Sequence, residues 1–216
     1  MLKNQFSTKA THDCVASNKQ RTAIRQQVRQ LRQDLTTTQQ NDAALQLLAR
    51  FSIDEKILSA NSIALYLSND GELDTKVLIE WCWQQDKQVY LPVLHPFAQG
   101  HLLFLHYERR TPLVNNRFGI AEPKLDVSKV IVPHQLDIIC TPLVAFDHLG
   151  ARLGMGGGFY DRTLSHWHQH HQQQSTVKPY PIGLAHDCQL IAPLPSESWD
   201  IPLPEIITPS RHYKFN

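Results

Sequence analysis

Apolar residues along this chain switch between helical spacing and short continuous runs, and the alternation predicts a βαβ order. Residues 1–18 are polar and aperiodic, so they predict a flexible N-terminal extension. Lys19 to Asp34 suits a helix. Thr36, Thr37 and Thr38 followed by Gln39 and Gln40 supply capping-box chemistry, and Ala43, Ala44, Leu47, Leu48 and Phe51 recur at helical spacing, so a second helix follows directly. Ser62 to Leu67 is a short apolar run that stops at Ser68, Asn69, Asp70 and Gly71, which predicts a strand ending in a turn. Asp74 to Gln85 returns to helical spacing through Val77, Leu78, Trp81 and Cys82, and Gln88 to Leu94 predicts another strand. A hairpin-like insert is expected near His101 to Tyr107. Leu136 to Thr141 predicts a strand, and a helix is expected from Phe159 to His168 after a glycine-rich loop. Tyr180 to Ala185 and Glu205 to Thr208 predict closing strands. The sum is an α/β fold, a three-layer sandwich around a mostly parallel sheet, with one domain over 19–216.

Composition narrows the function classes. The chain has 216 residues, 42% hydrophobic and 19% charged, enough for a sizeable core without staples. Its 21 basic and 20 acidic side chains leave a formal charge of +1, so no global field points to a nucleic-acid or membrane partner. Cys14, Cys82, Cys140 and Cys188 form no C-x-x-C pair, which predicts reduced thiols in a cytoplasmic protein. No signal peptide or membrane-spanning run is read.

Five of nine glycines, Gly150, Gly154, Gly156, Gly157 and Gly158, fall within nine residues ahead of a predicted helix. Glycine lets backbone N–H groups approach a ligand closely, and the helix start adds its dipole, so the loop suits phosphates. Arg152 adds a fork of donors, and Asp161 can hold a magnesium ion. The loop matches neither the P-loop nor the dinucleotide pattern, and a tight structural turn is the alternative. Arg21, Arg25, Arg29 and Arg32 stack along one helix face, where like charges repel unless an anion lies opposite. A phosphate, a solvated face or a nucleic-acid backbone would each account for them. Glu72 and Asp74 sit at the carboxyl end of a predicted strand, where α/β proteins bind ligands, although Asp74 also suits a helix N-terminus. His166 and His170 lie four apart, but the flanking Gln172 to Gln174 read as a solvated helix end rather than a metal site.

The segment Arg152-Leu153-Gly154-Met155-Gly156-Gly157-Gly158-Phe159-Tyr160-Asp161-Arg162, preceded by Thr141 to Asp147, resembles the signature of the 5-formyltetrahydrofolate cyclo-ligase family. Ile24-Arg25, Gly71 to Thr75, Phe118 to Pro123 and Trp199-Asp200 extend the resemblance over Lys19 to Thr208. It implies a fold related to the sugar-isomerase and CoA-transferase group, with ATP and a formylated folate as substrates. It further implies that Arg21 and Arg25 reach the ATP phosphates and that Arg152, Leu153, Gly154, Met155, Gly156, Gly157, Gly158, Phe159 and Tyr160 wrap the nucleotide. Asp161 and Asp200 would carry Mg2+, with Arg152 and Asp161 serving the chemistry. Glu72 would hold the pterin, alongside Leu67, Phe118, Met155, Gly156, Gly157, Gly158 and Phe159, with Phe118 open to a core role instead. Arg21 stands where relatives often have lysine. The expected partners are the two small molecules, with no nucleic acid and no membrane, in a monomer or weak dimer. Two other readings remain: a nucleotide-dependent small-molecule phosphotransferase, and a nucleic-acid-binding module built on the arginine stripe.

Overall fold

The structure is a computed structural model that describes residues 5–171, 177–191 and 193–215, with residues 5–16 as backbone alone. Residues 1–4 and the glutamines at 172–174 lie outside it. Helix α1 (Gln5–Gln33) starts earlier than the expected Lys19. The polar stretch ahead of Lys19 has no glycine or proline to end a helix, and aperiodicity alone does not prevent one. Ser17 on this stretch donates from Oγ to Glu197 Oε1 at 2.8 Å, tying it to the far end of the chain. Helix α2 (Thr37–Phe51) has the expected reciprocal cap between Thr36 and Gln39. A short helix α3 (Glu55–Ser59) is capped by Asp54, whose carboxylate accepts from the N–H groups of Lys56 and Ile57.

Strand β1 (Ser62–Ala64) is followed by helix α4 (Lys76–Gln84), strand β2 (Gln88–Leu94) and strand β3 (Leu102–His106). β2 and β3 pair antiparallel, as the expected hairpin requires. β4 (Leu113–Asn115) and β5 (Ala121–Pro123) form a small separate hairpin, and β6 (Val130–Ile131) joins the edge of the main sheet. After β7 (Ile138–Pro142), the hairpin of β8 (Ala145–Phe146) and β9 (Arg152–Leu153) delivers the glycine loop to helix α5 (Phe159–His170). β10 (Tyr180–Leu184), β11 (Glu205–Ile207) and β12 (His212–Lys214) complete the chain.

The main sheet runs β12-β11-β10-β7-β1-β2-β3-β6, and its central five strands are parallel. Alternation along those strands builds two cores. Ile63, Ile138, Cys140, Ile182 and Ile207 face α2 and α4, while Ala64, Ile139 and Ile206 face α5 through Leu164 and Trp167. This is the expected three-layer arrangement around a mostly parallel sheet. α1 lies apart from both faces: its buried Val28 packs with Val144, Ala145 and Leu153 of the β8–β9 hairpin. It therefore crosses the region beyond the carboxyl ends of the strands.

The ladder of β1 is shorter than the expected 62–67, because the chain leaves it at the carboxyl edge. Leu65 keeps one bond, from its N–H to the Tyr90 carbonyl at 2.9 Å, and Tyr66 and Leu67 turn into a cavity.

Candidate active site

At the carboxyl ends of the parallel strands lies a cavity of about 690 Å³, within the range of small-molecule sites. One wall comes from the segment after β1, with Tyr66, Leu67, Asn69, Asp70 and Glu72. The other comes from the glycine loop and α5, with Arg152, Gly154, Met155, Gly157, Gly158, Phe159, Tyr160 and Asp161. Leu91, Pro92 and Leu94 of β2 form an apolar floor, and the β4–β5 hairpin adds Asn116, Phe118, Ile120 and Glu122.

The glycine loop is shaped by its conformations. Gly156 and Gly158 have φ of +102° and +63°, which side chains rarely adopt, and Gly154 has open space where a Cβ would stand. Gly157 has ordinary φ, but a Cβ there would meet the Phe159 ring at 2.6 Å. Gly158 is the N-cap of α5 and has no side chain to satisfy the first amides, so they stay available to a ligand. Phe159 meets Phe118 edge to face at 6.3 Å, and Phe118 is 56% exposed. Phe118 is thus a cavity wall rather than a core residue.

Arg152 and Asp161 form the charged centre of this wall. Arg152 Nη2 donates to Asp161 Oδ1 at 2.6 Å, and Nε has no protein partner although it is buried. Burial lowers the Arg152 pKa from its ordinary value, opposed by Asp161 and then Asp200. Asp161 Oδ1 also accepts from the Ile201 N–H at 3.3 Å. The hydroxyl of Tyr160 is buried without a partner, and burial, aided by the Glu72 charge, pushes its pKa far up, so it is a neutral donor.

Glu72 stands on the opposite wall. Its Oε2 accepts from the Asn69 N–H at 3.1 Å, and burial lifts its pKa to about 7 against the opposing pull of that bond and of Arg32. A carboxylate poised near neutrality among apolar groups is a strong acceptor for the N–H edge of a heterocycle. Asp74 instead accepts from the Lys76 N–H at 3.0 Å and serves the start of α4.

The four stacked arginines have partners within the chain. Arg21 forms a two-pronged pair with Asp200, Nη1 to Oδ2 at 2.5 Å and Nη2 to Oδ1 at 3.0 Å. Arg25 Nε donates to the Gly154 carbonyl at 2.8 Å, and Arg29 and Arg32 both bond Asp70. Neither a solvated stripe nor an open nucleic-acid surface describes them. Arg21, Arg25, Leu153, Gly156 and Asp200 lie outside the cavity lining, although Arg25 holds the glycine loop from behind. Both oxygens of Asp200 accept from Arg21, so it serves here as an arginine partner; Asp161, with its bonds on Oδ1, retains an oxygen at the cavity.

Sequence reasoning missed Tyr66, Asn116 and Glu122 as cavity residues. Tyr66 belonged to an apolar run that reads as core, and the β4–β5 hairpin has too few residues to show a period. Elsewhere, Asp54, Glu205 and His212 gather within 4.8 Å, the one group of three metal-type ligands among the described residues. Glu205 already accepts from Lys56, Tyr180 and His212, and it begins β11 at the end of the sheet away from the cavity, so the group is an ion network. The His166 and His170 rings lie 4.5 Å apart, tilted at 55°, with no third ligand joining them among the described residues.

An open α/β sheet with a cavity at the carboxyl ends of its parallel strands, lined by a glycine loop at a helix start and by buried charged side chains, has the form of an enzyme site. The sequence places it more narrowly. Residues 17–209 match the 5-formyltetrahydrofolate cyclo-ligase family model, and the chain belongs to that family. It is 52% identical over 188 residues to the 5-formyltetrahydrofolate cyclo-ligase of Escherichia coli strain K12, covering 87% of this chain and all of that one. It is 49% identical over 193 residues to the Haemophilus influenzae protein of the same name, covering 88% and 98%. Among solved structures it resembles the Aquifex aeolicus 5,10-methenyltetrahydrofolate synthetase, with a TM-score of 0.74, 26% identity, and 90% and 92% coverage.

Proposed function

We propose that the protein catalyses ATP-dependent cyclisation of 5-formyltetrahydrofolate to 5,10-methenyltetrahydrofolate, with release of ADP and phosphate. Membership of the cyclo-ligase family supports the reaction, and the observation that carries its placement is the cavity with Arg152 and Asp161 on one wall and Glu72 on the other. Glu72 as a carboxylate accepts from the pterin N–H groups, and Phe118 and Phe159 flank the ring system. The glycine-loop amides and Arg152 bind the ATP phosphates.

The γ-phosphoryl group passes to the formyl oxygen of the N5-formyl group, and ADP leaves. N10 attacks the activated carbon, gives up its proton, and the carbon–oxygen bond breaks as phosphate departs. This chemistry asks for alignment and charge stabilisation rather than a covalent nucleophile. Arg152, fixed by Asp161 and with Nε unpaired, supplies fixed positive charge to the transferring group. Asp161 is the carboxylate that fits a magnesium ion, which when bound neutralises phosphate charge.

The test follows ADP, inorganic phosphate and methenyl product together with the full-length protein, ATP, Mg2+ and 5-formyltetrahydrofolate. Equal amounts of all three support the cyclo-ligase. ADP with a stably phosphorylated product instead points to a phosphotransferase.

A further inference from the structure

The helix that carries the arginine stripe divides its work between the two walls. Arg25 reaches the glycine loop, whereas one and two turns further on Arg29, Arg32 and Gln33 converge on Asp70. Arg32 is the central member. It is fully buried; its Nη2 donates to the Asp70 carbonyl at 2.9 Å and to Asp70 Oδ2 at 3.2 Å, while Nε and Nη1 have no protein partner. Asp70 and Gly71 both have left-handed backbones, φ +52° and +71°, and a Cβ on Gly71 would stand 3.3 Å from the Arg32 backbone and Cβ. The bend before Glu72 is therefore moulded directly on Arg32. His186, just past β10, is also buried, and burial together with the Arg32 charge lowers its pKa to about 4.

A buried guanidinium with two unused donors is costly unless its charge is used. We propose that Arg32, paired with Asp70 behind the loop, is the positioning residue that fixes both the direction and the negative charge of Glu72, and so sets the affinity for the folate half of the reaction. This rests on the cyclo-ligase reading of the cavity. The charged and titratable groups around Glu72 are Arg32 from α1, Asp70 from its own loop, Tyr66 from the segment after β1, and Tyr160 from α5. Only Arg32 among them favours the carboxylate; Asp70 opposes it, and both tyrosines stay neutral.

The inference predicts shifts of opposite sign. In Arg32→Gln the cation is lost, and the midpoint for Glu72 rises by about one pH unit. From a starting value of about 7, this lowers kcat/KM for the folate about fivefold at pH 7, while KM for ATP holds. Asp70→Asn removes the opposing charge and moves the midpoint down. Arg32→Lys keeps the charge and holds the midpoint.

The experiment measures kcat and KM for each substrate from pH 6 to 9 by ADP release, in the full-length wild type and the three variants. The Glu72 titration is read in parallel from carboxyl carbon-13 NMR of the free protein. Midpoints that do not move in Arg32→Gln and Asp70→Asn, or that move the same way in both, overturn the proposal, as does a parallel loss of ATP and folate affinity. If Arg32→Gln does not fold, Asp70→Asn and Arg32→Lys still carry the test. A wild type without folate-dependent turnover overturns the functional reading instead, and the NMR midpoints then judge the Arg32 pairing by itself.

Discussion

Replacing Arg152 by alanine separates two consequences that the geometry joins. Arg152 is 5% exposed and holds Asp161 at 2.6 Å. Removing one member of a buried pair costs about 3–5 kcal/mol, because the other charge is left uncompensated. The Asp161 side chain is one-fifth exposed and keeps the Ile201 N–H, so water and that bond recover part of the loss, leaving about 2 kcal/mol. For a chain of this length that lowers Tm by about 4–8 °C, small enough to leave a folded enzyme at 25 °C. Turnover suffers more: losing a fixed donor to developing charge costs about a hundredfold to a thousandfold in kcat. Arg152→Lys restores charge but not the planar fork, so it recovers stability more than rate. Urea unfolding and steady-state kinetics on the same preparations measure both. Turnover of Arg152→Ala within a few-fold of wild type, with the expected Tm loss, refutes the catalytic placement and leaves only a structural pair.

Glu72→Gln removes a carboxylate whose pKa is raised to about 7, so the folded state is penalised progressively from the unfolded value near 4.5 up through 7. With the residue half-buried, the variant gains about 2 kcal/mol in urea unfolding at pH 8 and gains nothing at pH 4, and it loses folate turnover at pH 8, where the wild-type carboxylate is charged. Glu205 shows the opposite sign: its pKa is lowered to about 2 by His212, Lys56 and Tyr180 against the cost of burial, so its stabilisation is present above about pH 4.5 and lost as pH falls through 2. Glu205→Gln should flatten the acid limb of stability between pH 5 and 2 without changing kcat. Gly157→Ala places a Cβ 2.6 Å from the Phe159 ring, so that ring moves in the cavity and KM for the folate rises several-fold; an unchanged KM with unchanged Tm counts against the wall assignment.

The sequence reveals the layers of this fold because its central strands and packing helices are periodic. Ile63, Ile138 and Ile182 sit in unbroken apolar runs, and Leu47 and Phe51 keep helical spacing behind a legible cap. What escaped lies where period is too short or absent. The β4–β5 hairpin has three residues a side, and α1 continues to Gln5 through polar residues that reveal no face. The glycine loop is legible as a cluster, because glycine at Gly156 and Gly158 answers a backbone need. Partner choice is not. Asp70 and Asp200, 130 positions apart in sequence, each capture arginines from α1, and only the folded chain shows which carboxylate meets which turn.

The central claim is that one cavity holds both substrates, phosphates on the glycine loop and pterin on Glu72. A crystal structure of the protein with a non-hydrolysable ATP analogue, Mg2+ and 5-formyltetrahydrofolate tests it directly. The account predicts the triphosphate against the amides of Gly154 to Gly158 beside Arg152, with the pterin edge on the Glu72 carboxylate. A nucleotide bound elsewhere, or a folate whose ring avoids Glu72, contradicts it.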